Sequence, residues 1–281
     1  MNKIRIISIQ RGCVYDGPGV RTTVFLKGCN LHCPWCCNPE SINYKEEWYI
    51  DETRCIKKKN IISNLCKECM FPKTREIYPK CPFKVFEPVS KDYTTSQLIN
   101  ELKKDYNLFK ETNGGVTFSG GEPLLHSADL IPVLKELSSN NISIWFETSL
   151  FVSQENIKKI IPYTQGIYVD LKLQPQIGYL DKPSYIDTIY KNLSIIRKTD
   201  IHIHYRMVFT DDITKNFKAV FNLLSNWKIQ FLEILQCHNL RESKIIKLGH
   251  KFQKIQFTEK LCKEFIESLI ENGISVKYNS L

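Results

Sequence analysis

Long apolar runs are missing from this sequence. None approaches the roughly 18 residues that a membrane-crossing helix requires, so no membrane span is expected. The N-terminus, Met1-Asn2-Lys3-Ile4-Arg5, has basic residues without the apolar stretch and small-residue cleavage site of a signal peptide. A cytoplasmic location is expected. Internal repeats, low-complexity tracts and Gly/Ser-rich linkers are also missing, which argues against a repeat array or two halves on a flexible tether. Without an export signal, the eleven cysteines do not read as a disulfide framework, because the cytosol keeps thiols reduced. Metal ligation is the first reading of them.

Hydrophobic residues make up 42%, aromatics 11% and charged residues 25%, the proportions of a folded globular chain. The 281 residues suffice for one large α/β domain with an insertion, or for two modest domains. A formal net charge of +9 would fit an acidic partner or nucleic acid. The basic residues are spread along the chain, however, with Lys57-Lys58-Lys59 the one tight cluster. A solvated basic face is therefore expected, with no nucleic acid and no membrane as partners.

Strand-like segments recur at 23–27, 116–119, 142–147, 166–171, 202–209, 231–235 and 275–278, and helix-like stretches lie between most of them. Thr94 and Gln97 have the spacing of a capping box, after which Leu98, Leu102, Tyr106 and Phe109 share one face of a helix. Apolar periodicity also marks 130–137, 189–196, 217–224 and 261–270, the last closed by Asn272-Gly273. This alternation predicts parallel βαβ units, which a partial barrel or a doubly wound sheet would both satisfy. Residues 46–88 break the rhythm, with four cysteines and little hydrophobic periodicity, and read as an insertion.

The segment Gly28-Cys29-Asn30-Leu31-His32-Cys33-Pro34-Trp35-Cys36 follows a strand and places three thiolates in one short loop. A closed structural zinc site wants four ligands, whereas three cysteines on a 4Fe-4S cubane leave one iron free for a substrate. Zinc and plain core cysteines are the competing readings. Cys37 directly follows Cys36 and cannot easily reach the same metal.

The C-x3-C-x2-C triplet, with an aromatic residue before its last cysteine and Gly120-Gly121-Glu122-Pro123 downstream, closely resembles the radical S-adenosylmethionine superfamily. Asp16-Gly17-Pro18-Gly19-Val20-Arg21, Phe25-Leu26-Lys27-Gly28-Cys29 and Asn38-Pro39-Glu40 resemble its activating enzymes of glycyl-radical enzymes, such as the pyruvate formate-lyase activase. The resemblance implies an α/β fold, a partial (β/α)6 barrel at 1–45 and 90–281, with a cysteine-rich, ferredoxin-like insertion at 46–89. It implies a 4Fe-4S cluster on Cys29, Cys33 and Cys36 whose open iron binds S-adenosylmethionine, and reductive cleavage to a 5′-deoxyadenosyl radical. The implied substrate is a backbone glycine of a partner glycyl-radical enzyme. The alternative is direct action on a peptide or small molecule, because membership fixes the radical initiator and not its target. A flavodoxin or ferredoxin would supply the electron.

Site residues carry over one by one. Trp35, Gly120, Gly121, Glu122, Pro123, Lys172 and His238 are expected at the cofactor, the glycines because a backbone without Cβ can approach the methionine closely. Lys172, in Asp170-Leu171-Lys172, would meet the methionine carboxylate. Asp170, Glu147 and Thr148 are expected around a monovalent cation, although Leu150 stands where the family has glycine. Asp16 and Arg206 are expected to face the substrate loop. Four further cysteines, Cys55, Cys66, Cys69 and Cys81, suit one auxiliary 4Fe-4S cluster, with a four-cysteine zinc site and no metal as the other readings. Cys262 lies on an apolar helix face and is expected in the core.

Overall fold

The computed structural model describes residues 3–61, 63–73, 77–173 and 183–280. Strand β1 (Lys3–Cys13) buries Ile4 and Ile6 and pairs antiparallel with β2 (Arg21–Leu26). The link between them needs glycine at Gly19. Its φ is +68°, and a Cβ there would lie 2.4 Å from the Thr112 carbonyl oxygen. The insertion follows, its ends joined by an antiparallel ribbon of β3 (Trp48–Ile50) and β4 (Phe86–Pro88). Strand β5 (Lys91–Thr94) then pairs antiparallel with the outer edge of β1.

From there the chain alternates. Helices α1 (Thr95–Lys103) and α2 (Tyr106–Thr112) lead to β6 (Gly115–Gly120), then α3 (Ser127–Ser139) to β7 (Ser143–Thr148). Next come α4 (Gln154–Ile160), β8 (Gly166–Asp170), α5 (Pro183–Ile196), β9 (His202–Phe209), α6 (Phe217–Asn226) and β10 (Phe231–Gln236). The chain closes with α7 (Glu242–Lys247), α8 (Glu259–Glu271) and β11 (Ser275–Asn279). The sheet order is β5-β1-β2-β6-β7-β8-β9-β10-β11, and β2 with β6 to β11 run parallel. All seven segments read as strands belong to this parallel run, one strand more than the expected six. Among the described residues the order runs from β5 to β11 without closing, so the barrel is partial.

The period of two along each strand sorts its two faces. Val116 and Phe118, Ile144 and Phe146, Ile167 and Val169, Leu232 and Ile234 are buried in one continuous core with Leu130, Val133 and Leu137 of α3 and Ile157 and Ile160 of α4. The alternate positions face the concave side and include the polar Thr117, Ser119, Glu147, Asp170 and Arg206 beside Trp145 and Val208.

The single helix expected through Leu98 and Phe109 is split. Its capping box forms, Gln97 N donating to Thr94 Oγ1 at 3.2 Å and Thr94 N to Gln97 Oε1 at 2.9 Å. The chain breaks before Tyr106 because the Asp105 carboxylate is drawn to the sheet, accepting from Arg11 Nε and Thr22 Oγ1 at 2.9 Å each. Helix α8 ends as read: Ile274 N donates to Leu269 O and Gly273 N to Ile270 O, with Gly273 at φ +85°. Cys262 is in the core. Among the described residues no helix is long and apolar enough to cross a membrane.

Candidate active site

The carboxyl ends of the parallel strands, where such sheets place their sites, surround a cavity of about 450 Å³. Its walls include Cys29, Cys33, Cys36, Asp16, Glu147, Asp170, Lys172, Arg206 and His238. The size falls in the range that encloses a small ligand.

The cysteine loop is built from β2 outward. Lys27, at the strand's end, is buried and its ammonium donates to Glu40 O at 2.6 Å and pairs with Glu47 at 2.6 Å. Gly28 N donates to Ser41 O at 2.7 Å and Cys29 N to Ile42 O at 3.0 Å, which closes residues 28–42 into a loop. Lys244 of α7 clamps the far side, donating to Cys37 O, Asn38 Oδ1 and, at 2.6 Å, Glu40 Oε1. All three thiols of the triplet line the cavity. Burial, then Glu122, pushes the Cys29 thiol up to about 12, and burial raises Cys33 and Cys36 as well. Metal loading must therefore displace protons from them.

Gly120-Gly121-Glu122-Pro123 packs under this loop. A Cβ on Gly121 would sit 2.1 Å from Gly28 O, and one on Gly120 would sit 2.2 Å from Leu26 N. Gly121 N donates to Leu26 O at 2.8 Å and Glu122 N to Gly28 O at 2.9 Å. These two amides thus hold the cysteine loop, and neither is left for a bound methionine. Glu122 is a buried brace: its carboxylate accepts from Thr148 Oγ1 at 2.6 Å, Ser149 N at 2.9 Å, Ser149 Oγ at 2.7 Å and Leu124 N at 3.2 Å. Pro123 starts the short turn that follows.

Leu150 takes the left-handed φ of +59° that glycine favours, yet is fully buried. The strain is about 1–2 kcal/mol, and burying a leucine contributes about 1.5–3 kcal/mol. Burial wins.

Across the cavity runs a ladder of charge. Arg206 Nη1 donates to Glu147 Oε1 and its Nε to Asp170 Oδ1, both at 2.9 Å, and Lys172 pairs with Asp170 at 3.5 Å. Ser119 Oγ donates to Glu147 at 2.5 Å. Burial opposes the charge on Asp170, but Arg206 and then Lys172 outweigh it and hold the carboxyl below its usual range. Glu147, which lacks a second cation, is raised by burial against the pull of Arg206. Burial also works against the Lys172 ammonium, and Asp170 holds it protonated. The guanidinium of Arg206 thus lies between the two carboxylates where a monovalent cation was expected, and Thr148 Oγ1 points to Glu122 instead.

Among the described residues, two residues of the cavity wall have a buried ring nitrogen without a protein partner, Trp35 Nε1 and His238 Nδ1. Burial, then Arg241 and Lys244, lowers His238 below its ordinary value, leaving a neutral imidazole at neutral pH. Three cysteines beside Lys172 and Arg206 around one cavity fit an iron–sulfur cluster with a polar, anionic ligand group beside it. Asp16 lies on the same wall, its carboxylate accepting from Thr23 Oγ1 at 2.5 Å and its carbonyl from Thr117 Oγ1 at 2.6 Å. Lys27, Glu40 and Lys244 were missed in the sequence. Their single clue was a lysine and a glutamate inside the quoted motifs.

The insertion has a small core of its own, with Cys55, Cys69, Phe71, Val85 and Phe86. Cys55, Cys66, Cys69 and Cys81 line one apolar pocket within it. Among the described residues no three His, Cys, Asp or Glu side chains surround a single point as ligands of one metal ion would. Of the cysteines the motifs left over, Cys237 is buried against Trp35, Cys37 is exposed and Cys13 is partly exposed.

Residues 15–176 match a family described as a 4Fe-4S single cluster domain. The chain is 31% identical over 303 residues to the 4-hydroxyphenylacetate decarboxylase activating enzyme of Clostridioides difficile strain CD196, covering 96% of this chain and 94% of that protein. It is 30% identical to the trans-4-hydroxy-L-proline dehydratase activating enzyme of Clostridioides difficile, covering 88% and 89%. Among solved structures, Streptococcus suis SuiB bound to precursor peptide SuiA has a TM-score of 0.51 at 12% identity, over 90% of this chain and 46% of that one, a likeness of fold. The chain belongs to the radical S-adenosylmethionine family of glycyl-radical-enzyme activating enzymes.

Proposed function

We propose that Cys29, Cys33 and Cys36 hold the 4Fe-4S cluster and that the adjoining cavity takes S-adenosylmethionine, with Lys172 meeting its carboxylate and Trp35 and His238 its nucleoside. The observation that carries this reading is that the three cysteines of the triplet and Lys172 line one cavity, with Trp35 and His238 also on its wall. When bound, the reduced cluster supplies the electron that cleaves S-adenosylmethionine to methionine and a 5′-deoxyadenosyl radical. The protein's part is orientation and exclusion of water. Asp170 keeps Lys172 charged and placed. Arg206 is a positioning residue that spans Glu147 and Asp170, and the reading needs no monovalent cation there. Asp16, fixed by Thr23, offers its carboxylate to backbone N–H groups of the partner's glycine loop, from which a Cα hydrogen passes to C5′.

The two relatives serve a decarboxylase and a dehydratase, so the proposal fixes the partner's glycine and not the partner's reaction. Residues 46–89 form a separate unit carrying an auxiliary 4Fe-4S cluster on Cys55, Cys66, Cys69 and Cys81, a reading supported by their shared pocket. A flavodoxin or ferredoxin supplies the electron. Anaerobic reconstitution should give about eight irons per chain, from two cubanes. Replacing Cys29, Cys33 and Cys36 together by Ala should remove about half and abolish formation of 5′-deoxyadenosine. Cleavage that persists in that variant would overturn the assignment.

A further inference from the structure

The net charge of this chain is not evenly spread. Residues 57–84 hold eight basic residues (Lys57, Lys58, Lys59, Lys67, Lys73, Arg75, Lys80 and Lys84) against two acidic ones (Glu68 and Glu76), a net +6 of the whole chain's +9. Arg75 and Glu76 lie outside the described residues. Among the described residues, the exposed Lys59, Lys67 and Lys73 have no ion-pair or hydrogen-bond partner, whereas Lys57 donates to Cys69 O and Lys58 pairs with Glu52.

Amid these lysines the chain is thin. Cys66 and Cys69 are 7% and 8% exposed, while Asn64, Leu65, Lys67, Glu68 and Met70 around them are all exposed. One layer of chain therefore separates the thiol pocket from solvent. Leu65 does both jobs, lining that pocket while 64% exposed. Ile61 and Met70 are also more than half exposed. A large apolar side chain left in water is normal when alone, but here three of them lie within ten residues, in a stretch that also carries the exposed Lys59, Lys67 and Lys73. Such a stretch suits a transient protein interface, whose charges steer encounter and whose small apolar centre seats it.

We propose that this face of the insertion docks an acidic one-electron carrier protein. The proposal rests on the auxiliary-cluster reading above. Contact over Leu65 and Met70 brings the carrier's reduced flavin or iron–sulfur centre within one layer of chain of the four cysteines. Cys55, Cys66, Cys69 and Cys81 would hold the cluster there, which would supply the acceptor for the one electron that the carrier, itself oxidised, gives up. No proton or atom moves.

The test uses the reconstituted holoenzyme, with an acidic flavodoxin and an acidic 2Fe-2S ferredoxin, each prereduced, as probes. Stopped-flow bleaching of the enzyme's clusters should be fast at low salt and fall steeply as salt is added. The charge reversal K59E/K67E/K73E should slow it by about tenfold or more and flatten the salt dependence. L65S/M70S should slow it while leaving the salt dependence in place. Reduction by dithionite and iron content should be unchanged in both, which separates docking from damage to the fold. Reversal at K110E/K158E, on α2 and α4, should have little effect.

Wild-type rates in the lysine reversal would overturn the proposal, as would equal slowing by the barrel reversal. So would competition for this face by the glycyl-radical partner alone. A preparation with about four irons and one zinc would instead sink the auxiliary-cluster reading. Docking is then read from titration of the oxidised flavodoxin, where loss of binding in K59E/K67E/K73E supports it and unchanged binding overturns it.

Discussion

Arg206 is held from three sides, by Glu147, by Asp170 and by the Tyr168 ring, whose centroid lies 4.3 Å from the guanidinium carbon. Removing it leaves two part-buried carboxylates facing each other; breaking a fully buried pair costs about 3–5 kcal/mol, an upper bound for side chains 12% and 24% exposed. Arg206→Gln should therefore lower stability to denaturant by up to that amount, with Arg206→Lys in between. If Arg206→Gln unfolds like the parent, the ladder contributes nothing. Histidines set a second residue-scale expectation. His126, His204 and His238 are all held below their ordinary value of 6.5, chiefly by burial. The unfolded chain then takes up protons first as pH falls, so this stability is complete above about 6.5 and is lost below it. His126 Nε2 lies 2.9 Å from Lys27 O, which fixes that nitrogen as the donor. Gln can replace that donor without titrating. His126→Gln should show a shallower loss of stability between pH 7 and 5.5 than the parent, and an identical slope would contradict this assignment.

At the scale of elements, the cysteine loop and the Gly-Gly-Glu-Pro turn are one unit. Because a Cβ on Gly121 would meet backbone at 2.1 Å, no rotamer change can relieve it. Gly121→Ala should displace the loop and lower the iron bound on reconstitution, to about half under the two-cubane proposal; full iron loading would mean the two backbones can part. How far this was legible varies by element. The seven parallel strands were readable because their buried face is apolar at alternate positions. Strand β1 escaped notice: Ile4 and Ile6 alternate with Lys3 and Arg5, but the phase slips at Ile7, where the strand has a register shift, and the segment opens on charged residues at the chain's start. The split between α1 and α2 could not be read, since it depends on Asp105 reaching Arg11 and Thr22 on distant strands. Motif spacing found the site's residues but not their partners. The glycines' need comes from Leu26 and Gly28, and Arg206 is fixed by carboxylates on two neighbouring strands, relations that exist after the sheet has formed.

For the molecule as a whole, an open sheet with a cavity at its carboxyl end, a cysteine loop there and an insertion with a lysine-rich stretch at 57–84 offer three surfaces. Under the proposals above, the cavity generates the radical, the barrel mouth near Asp16 meets the partner's glycine, and the insertion meets the electron carrier. The central claim is the second of these, transfer of the radical to a glycine Cα. Electron paramagnetic resonance tests it most directly, on the reduced holoenzyme with S-adenosylmethionine and the glycyl-radical enzyme encoded beside its gene, made with ordinary or α-deuterated glycine. The account predicts a doublet that collapses on deuteration, with deuterium appearing in 5′-deoxyadenosine. A partner that stays radical-free while 5′-deoxyadenosine accumulates and a peptide or metabolite is converted would contradict it.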